Sequence, residues 1–86
     1  MEIKTLKKSF GELAREELAS ARMKHGPIQS IHEGYALILE ELDEVWDEVK
    51  KKTKERDIDN LCKELIQVAA MCQKMAEDVV MPKLKK

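Results

Sequence analysis

Helical spacing of apolar residues is the feature that most constrains how this chain folds. Three blocks repeat apolar residues at intervals of three and four, and none alternates with the period of two expected for a strand. The third block keeps this pattern without a break. Its apolar positions are Ile58, Leu61, Leu65, Val68, Cys72, Met75 and Val79. The chain is therefore predicted to be all-α, with three helices.

Residues that stop or start helices separate the three blocks. Gly26 and Pro27 end the first, because proline lacks an N–H group and disfavours a helical residue before it. Ser30 is an N-cap candidate for the second helix, with Glu33 in the capping-box position, and Asp57 is one for the third. We expect one domain over residues 1–86, with helices near 2–24, 30–54 and 57–80.

The connection between the second and third helices is short, which predicts an antiparallel helix hairpin. Both helices carry more apolar surface than one contact buries, and Trp46 lies on a flank of the helix 2 seam formed by Ile38, Leu42, Val45 and Val49. In a chain of 86 residues, this excess favours packing against helix 1 and against another subunit. We therefore expect an oligomeric helical bundle, with three helices folding alone as the alternative.

Charge and composition exclude several classes of partner. The formal net charge of −1 gives no indication of binding to nucleic acid or to an anionic membrane. No apolar run reaches the roughly 18 residues of a membrane span, and no apolar signal segment follows Met1. The expected location is cytoplasmic. Cys62 and Cys72 lie in no CxxC spacing and are expected to be free, buried thiols, with a disulfide or a metal site as the alternative.

Helix 2 has an unusual order of charges. Seven acidic residues and no Lys or Arg occur from Glu33 to Glu48. Acidic residues near the start of a helix interact favourably with the helix dipole. Glu40, Glu41 and Glu44 instead lie mid-helix, where carboxylates three or four residues apart repel each other. A crowd of carboxylates without basic partners is typical of a site for a hard cation. A solvated helix face is the alternative.

The hairpin register brings a second polar pair towards this segment. Glu41 and Glu44 share one side of helix 2, and Glu64 and Gln67 share one side of helix 3. Their distances from the turn differ by about three residues, or ~4.5 Å along a helix axis. The two pairs are thus expected to face each other across one groove. Oxygen ligands in this arrangement suit Mg²⁺, which binds a few carboxylates, water and phosphate.

Two short motifs in this register resemble those of a known enzyme family. Residues 41–44 (ELDE) and 64–67 (ELIQ) resemble the ExxE…ExxD signature of the MazG-like all-α nucleoside triphosphate pyrophosphohydrolases. The resemblance extends from about His25 to Val80. It implies Mg²⁺-dependent cleavage of an NTP or dNTP to the NMP or dNMP and pyrophosphate, with Mn²⁺ as an alternative cofactor. It also implies a homodimer or a homotetramer.

The resemblance implies roles for individual residues as well. Glu41, Glu44 and Glu64 match metal ligands, and Glu40 is a further ligand or the base that takes a proton from water, so that Glu40 and Glu41 are the catalytic candidates. Gln67 stands where the family has Asp; its carbonyl oxygen can ligate a cation but carries no charge. This departure motivates one alternative function, a weakened relative that binds metal and nucleotide. The excess apolar surface around Trp46 motivates another, a helical oligomeric interaction protein.

Further residues are candidates for contact with the substrate. Lys24 and His25, beside the break after helix 1, are placed to meet phosphates, although a basic helix C-terminus is equally expected from the dipole. Asn60 lies one turn before Glu64. The predicted substrate-binding residues are Lys24, His25, Asn60 and Lys63.

Overall fold

The computed structural model describes residues 7–84 of the chain. These residues form helices and no strand, as the apolar spacing predicts. The three main helices are α1 (Phe10–Lys24), α2 (Ile31–Val49) and α3 (Ile58–Met75). The shorter elements are a 3₁₀ turn at Thr53–Glu55, a π-helical segment at Ala76–Val80 and α4 (Met81–Leu84).

Helix α1 begins well after the predicted start. Residues 7–9 are not helical, and residues 2–6 of the prediction lie outside the described part of the chain. Ser9 is the N-cap: its hydroxyl accepts from the Glu12 backbone N–H, and the Glu12 carboxylate accepts from the Ser9 backbone N–H. This capping box satisfies N–H groups that a helix start otherwise leaves unpaired. Its spacing is visible in the sequence, but the apolar residues before it favoured a longer helix.

The other helix starts lie at the predicted positions. Ser30 and Asp57 cap α2 and α3 through side-chain oxygens that accept from backbone N–H groups three residues on. Glu33 does not complete a capping box, because its carboxylate accepts from the Gln29 backbone N–H. Helix α2 ends at Val49 rather than near residue 54, and the lysines that follow lie in the turn and the 3₁₀ segment.

A wider helical turn at Ala76–Val80 carries the chain past the end of α3. The Met81 backbone N–H donates to the Ala76 carbonyl, which is the longer bonding pattern of a π-helix. The helical path then continues through α4, beyond the predicted end near residue 80. In this segment the Val79 side chain is buried and the Asp78 carboxylate is nearly so. The segment therefore supplies both an apolar and a charged contact to the interior.

Helices α2 and α3 pack in opposite chain directions. Gly34, near the start of α2, lies against Met75 at the end of α3, whereas Glu48, near the end of α2, contacts Asp57 and Asn60 at the start of α3. This order of contacts is that of an antiparallel pair. Helix α1 packs on α3 as well. Helix α3 thus forms contacts with both other main helices.

Small residues make up much of the interior. Ala70 is fully buried, Gly34 is buried against α3, and no large side chain among residues 7–84 is fully buried. Larger apolar side chains remain exposed on one face of α2, at intervals of three and four, and we call them the apolar stripe. Its members are Ile31, Tyr35, Leu39, Leu42 and Trp46. Leu42, which the sequence pattern assigns to the buried seam, is 45% exposed.

Buried polar contacts fasten the α1–α2 loop to the end of α3. The Lys74 side chain is 4% exposed, and its ammonium donates to the Gly26 carbonyl at 2.8 Å and to Asp78 at 3.2 Å. Asp78 also accepts from the Ile28 backbone N–H and from Arg22. Burial alone raises the pKa of Asp78, but these hydrogen bonds outweigh it and hold that pKa below its usual value. The loop is therefore held against α3 at several points.

A second buried carboxylate fixes the start of α3. Glu48 is 2% exposed, and it accepts from the Asp57 backbone N–H at 2.8 Å and from the Asn60 amide and the Lys51 ammonium at 3.1 Å each. These contacts, led by the bond from Asp57, hold the pKa of Glu48 below its usual value. One member of the acidic segment thus joins α2 to α3 by hydrogen bonds.

The two cysteines are free thiols on α3, as expected, but only Cys62 is partly buried and Cys72 is exposed. Within residues 7–84, no helix combines the length and the apolar character that crossing a membrane requires.

A methyl group at Gly34 tests how closely α2 approaches α3. An added Cβ would lie 2.6 Å from Cγ and 3.2 Å from Cβ of Met75, whereas the same atom at Gly11 would lie 3.6 Å from Arg15. Both Gly→Ala changes gain up to about 1 kcal/mol of helix propensity, but overpacking costs about 1–3 kcal/mol. We expect urea denaturation to show that Gly34→Ala lowers the free energy of unfolding by about 1 kcal/mol. The control Gly11→Ala should raise it, and equal stabilisation by both would contradict the close packing.

Candidate metal centre

Three glutamates that the sequence predicts as metal ligands converge between α2 and α3. One carboxylate oxygen from each of Glu41, Glu44 and Glu64 lies within 4.8 Å of the other two. Glu41 and Glu44 are almost one turn apart on α2, and the antiparallel packing of α3 brings Glu64 to them. Glu41 and Glu64 are half-buried, and Glu44 is exposed. We call these three residues the glutamate triad.

The triad carries an electrostatic cost. Burial raises the pKa of Glu41 to about 7, with further contributions from hydrogen bonding to Glu44 and from neighbouring carboxylates. Burial is also the main cause of the raised pKa of Glu64. A carboxyl group whose pKa is higher in the folded than in the unfolded chain destabilises the fold when it ionises. Glu41 therefore opposes folding increasingly as the pH rises from the usual value of 4.5 towards 7.

One oxygen of the triad has no partner. Glu64 Oε2 is buried and makes no hydrogen bond within the described part of the chain. A buried carboxylate oxygen without a partner is costly, and native structures contain few of them. A divalent cation held by the triad would offset the repulsion among its carboxylates. The donor set, made only of carboxylate oxygens, fits a hard cation such as Mg²⁺.

A cavity of about 450 Å³ adjoins the triad at Glu41. It lies among the end of α1, the α1–α2 loop, the first half of α2 and the middle of α3, and we call it the interhelix cavity. Apolar side chains on three helices contribute to its walls, namely Ala21, Leu37 and Met71. Its charged or polar residues are Glu17, Lys24, His25, Glu33, Glu41, Gln67 and Lys74. Its volume lies in the range typical of sites for small molecules.

The four predicted substrate-binding residues separate into two groups. Lys24 and His25 line the interhelix cavity and are exposed. Asn60 and Lys63 lie outside its lining: the Asn60 amide donates to the carboxylate that fixes the start of α3, and Lys63 forms an ion pair with Asp59 at 3.2 Å. The structure thus brings the first pair close to the same cavity as Glu41, and gives the second pair contacts with neighbouring acidic side chains.

Glu40 and Gln67 lie at the edges of the predicted site. Glu40 is exposed and is not a member of the triad, although its charge contributes to the raised pKa of Glu41. Gln67 is half-buried and lines the interhelix cavity together with Glu41. Three of the four predicted metal ligands therefore converge as carboxylates, and the fourth residue lies where the triad meets the cavity.

Lys74 is a cavity residue that sequence reasoning missed. Charged residues within a helical pattern are usually solvated, yet this ammonium is buried because the Gly26 carbonyl and Asp78 accept its hydrogen bonds. The available signal was the four-residue spacing between Lys74 and Asp78, which places them on one helix face. That spacing does not distinguish a buried pair from a surface pair.

No protein-family model matches this chain, and neither the curated proteins nor the solved structures contain a significantly similar one. The comparisons do not identify a MazG-like family, and that resemblance rests on the sequence motifs and the helix register described above.

Proposed function

We propose that this protein is a divalent-cation-dependent nucleoside triphosphate pyrophosphohydrolase, which converts an NTP or dNTP to the NMP or dNMP and pyrophosphate. The observation that carries the proposal is the glutamate triad beside a cavity large enough for a small molecule. The ELDE and ELIQ motifs supply the reaction class, because they resemble those of enzymes that cleave between the α and β phosphates.

The triad supports binding of Mg²⁺, with Mn²⁺ as the alternative. Glu41, Glu44 and Glu64 would be the ligands, since their oxygens already lie within 4.8 Å of one another. The cation would supply neutralisation of phosphate charge and activation of water. Acid competes with its binding, because the pKa of Glu41 is raised to about 7 and a cation must displace the proton that this residue holds below that pH.

The interhelix cavity supports binding of a nucleotide. Leu37 and Met71 offer apolar contact to a base, and Lys24 and His25 offer basic groups to a triphosphate. The loop that forms one wall is fastened to α3 through Lys74. A cavity wall held in this way is organised before a ligand arrives, which reduces the entropy lost on binding.

Proton transfer is assigned to Glu40. Positive charge at the triad would lower the pKa of Glu41 and leave its carboxylate ionised for ligation. Glu40 is the adjacent exposed carboxylate and is not one of the triad. It is therefore the residue available to accept a proton from the attacking water.

Pyrophosphate release is the measurement that tests this function. The purified protein, supplied with Mg²⁺ or Mn²⁺ and a panel of NTPs and dNTPs, should release pyrophosphate from at least one of them. Glu41→Gln should lower the rate by more than the roughly 10- to 100-fold typical for loss of an outer partner of a metal ligand. Asp43→Asn is the matched control, because Asp43 is an exposed acid on α2 outside the triad.

Other outcomes of this assay separate the alternative functions. No pyrophosphate from any nucleotide would contradict the enzyme. Binding of a cation and a nucleotide without product would instead support a catalytically weakened relative. Absence of both, detected as an unfolding temperature that neither ligand raises, would leave a helical interaction protein.

A second copy of the chain is the proposed occupant of the apolar stripe, giving a homodimer or a homotetramer. The stripe extends along α2 from Ile31 to Trp46, and Trp46 is 58% exposed. Contiguous apolar surface of this kind is typical of subunit interfaces. Since α2 also carries two residues of the triad, assembly would cover the face next to the site.

Sedimentation velocity tests this assembly. Wild-type protein at micromolar concentration should sediment as a dimer or a larger species, and Trp46→Lys should shift it to the monomer. Met23→Lys is the control, because Met23 is an exposed apolar residue on α1, away from the stripe. A monomeric wild type, or equal effects of both substitutions, would contradict the proposed interface.

A further inference from the structure

We propose that Gln67 is a specificity-determining residue that hydrogen-bonds the base of the nucleotide, and that it is not a ligand of the cation. This inference rests on the proposed function and assigns the interhelix cavity to the nucleoside part of the substrate. It gives the one departure from the acidic motif a role in selecting the substrate.

The convergence of the triad makes a fourth ligand unnecessary. Oxygens of Glu41, Glu44 and Glu64 already meet within 4.8 Å, and the buried oxygen without a partner belongs to Glu64. Magnesium commonly takes one or two carboxylates and completes its shell with water and phosphate oxygens. A neutral amide adds no charge to balance that of the cation. It also adds no further negative charge next to three carboxylates that already repel one another.

The position of Gln67 favours contact with a ligand in the cavity. It lies on α3 nearly one turn after Glu64 and one turn before Met71, and it lines the cavity together with Met71 and Glu41. The residue is half-buried, and its amide forms no hydrogen bond with another residue in the described range 7–84. Both the donor and the acceptor of the amide are therefore available to a bound molecule.

The chemistry of an amide matches the edge of a base. Its carbonyl oxygen and NH₂ group lie side by side, so that one glutamine can accept and donate at once, as it does when it reads adenine. The apolar side chains of Leu37 and Met71 line the same cavity and offer contact to the faces of a base. A site that depends on such a hydrogen bond discriminates strongly against a molecule that lacks the matching group.

Thermal-shift titrations separate the two roles of Gln67. Each protein is titrated first with Mg²⁺ alone and then, in Mg²⁺, with α,β-imido analogues of the four common nucleoside triphosphates. Gln67→Met keeps the approximate length of the side chain and removes its hydrogen bonds, and Glu44→Gln is the matched control within the triad. Circular dichroism verifies that each variant is folded.

We expect Gln67→Met to keep the Mg²⁺-induced shift and to reduce the ratio of affinities between the best and the worst base by about 10-fold or more. Glu44→Gln should weaken the Mg²⁺ shift instead. Gln67→Glu, which keeps an acceptor and loses the donor, should change the order of preference among the bases. This third variant provides the test if the methionine variant does not fold.

Two results would overturn the inference. Loss of the Mg²⁺ shift in Gln67→Met, as in Glu44→Gln, would make Gln67 a metal ligand. An unchanged ranking of the bases in both Gln67 variants would exclude it from base selection. A wild-type protein that responds to neither Mg²⁺ nor nucleotide fails at an earlier step: it overturns the proposed function and, with it, this inference.

Discussion

The close packing of α2 on α3 is the constraint on which the rest of the structure depends. Gly34 allows the helices to approach at one end, where a Cβ atom would collide with Met75. Glu48 joins them at the other end through the Asp57 backbone and the Asn60 amide. Between these two points the register is fixed, and it holds Glu41 and Glu44 next to Glu64. The convergence of the three carboxylates is thus a consequence of contacts that involve none of them.

This packing holds together groups that repel each other. Glu48 and Asp78 are stabilised as carboxylates by hydrogen bonds, and the pKa of each lies below its usual value. The triad shows the opposite behaviour, with raised pKa values at Glu41 and Glu64 and one buried oxygen without a partner. A fold that places satisfied and unsatisfied carboxylates on the same pair of helices concentrates its electrostatic cost at one place. A cation bound there would relieve this repulsion, and the relief would contribute to the free energy of binding.

The periodicity of apolar residues predicted the helices and their packing. It did not predict features that polar contacts determine. The three main helices, the N-caps at Ser30 and Asp57 and the approach of Glu64 to Glu41 and Glu44 follow from spacing and from the short turn. The start of α1 was not predicted correctly. Apolar residues before Ser9 continue the helical spacing, but the capping box at Ser9 makes the helix begin at Phe10. Burial of Lys74 was also not predictable, since it depends on a carbonyl 48 residues away in the chain. The exposure of Leu42 shows a related limit: spacing gives the apolar face of a helix, but not which residues of that face the neighbouring helix covers.

Calorimetric titration of the metal-free protein with Mg²⁺ near pH 7 tests the central claim most directly, since the claim is that the glutamate triad binds a cation. Titrations in two buffers with different heats of ionisation give the number of protons released. The account predicts saturable binding with proton release, because Glu41 has a pKa of about 7 and must lose its proton to become a ligand. Glu64→Gln should abolish or strongly weaken this binding. Absence of binding by the wild type, or binding that Glu64→Gln leaves unchanged, would contradict the claim.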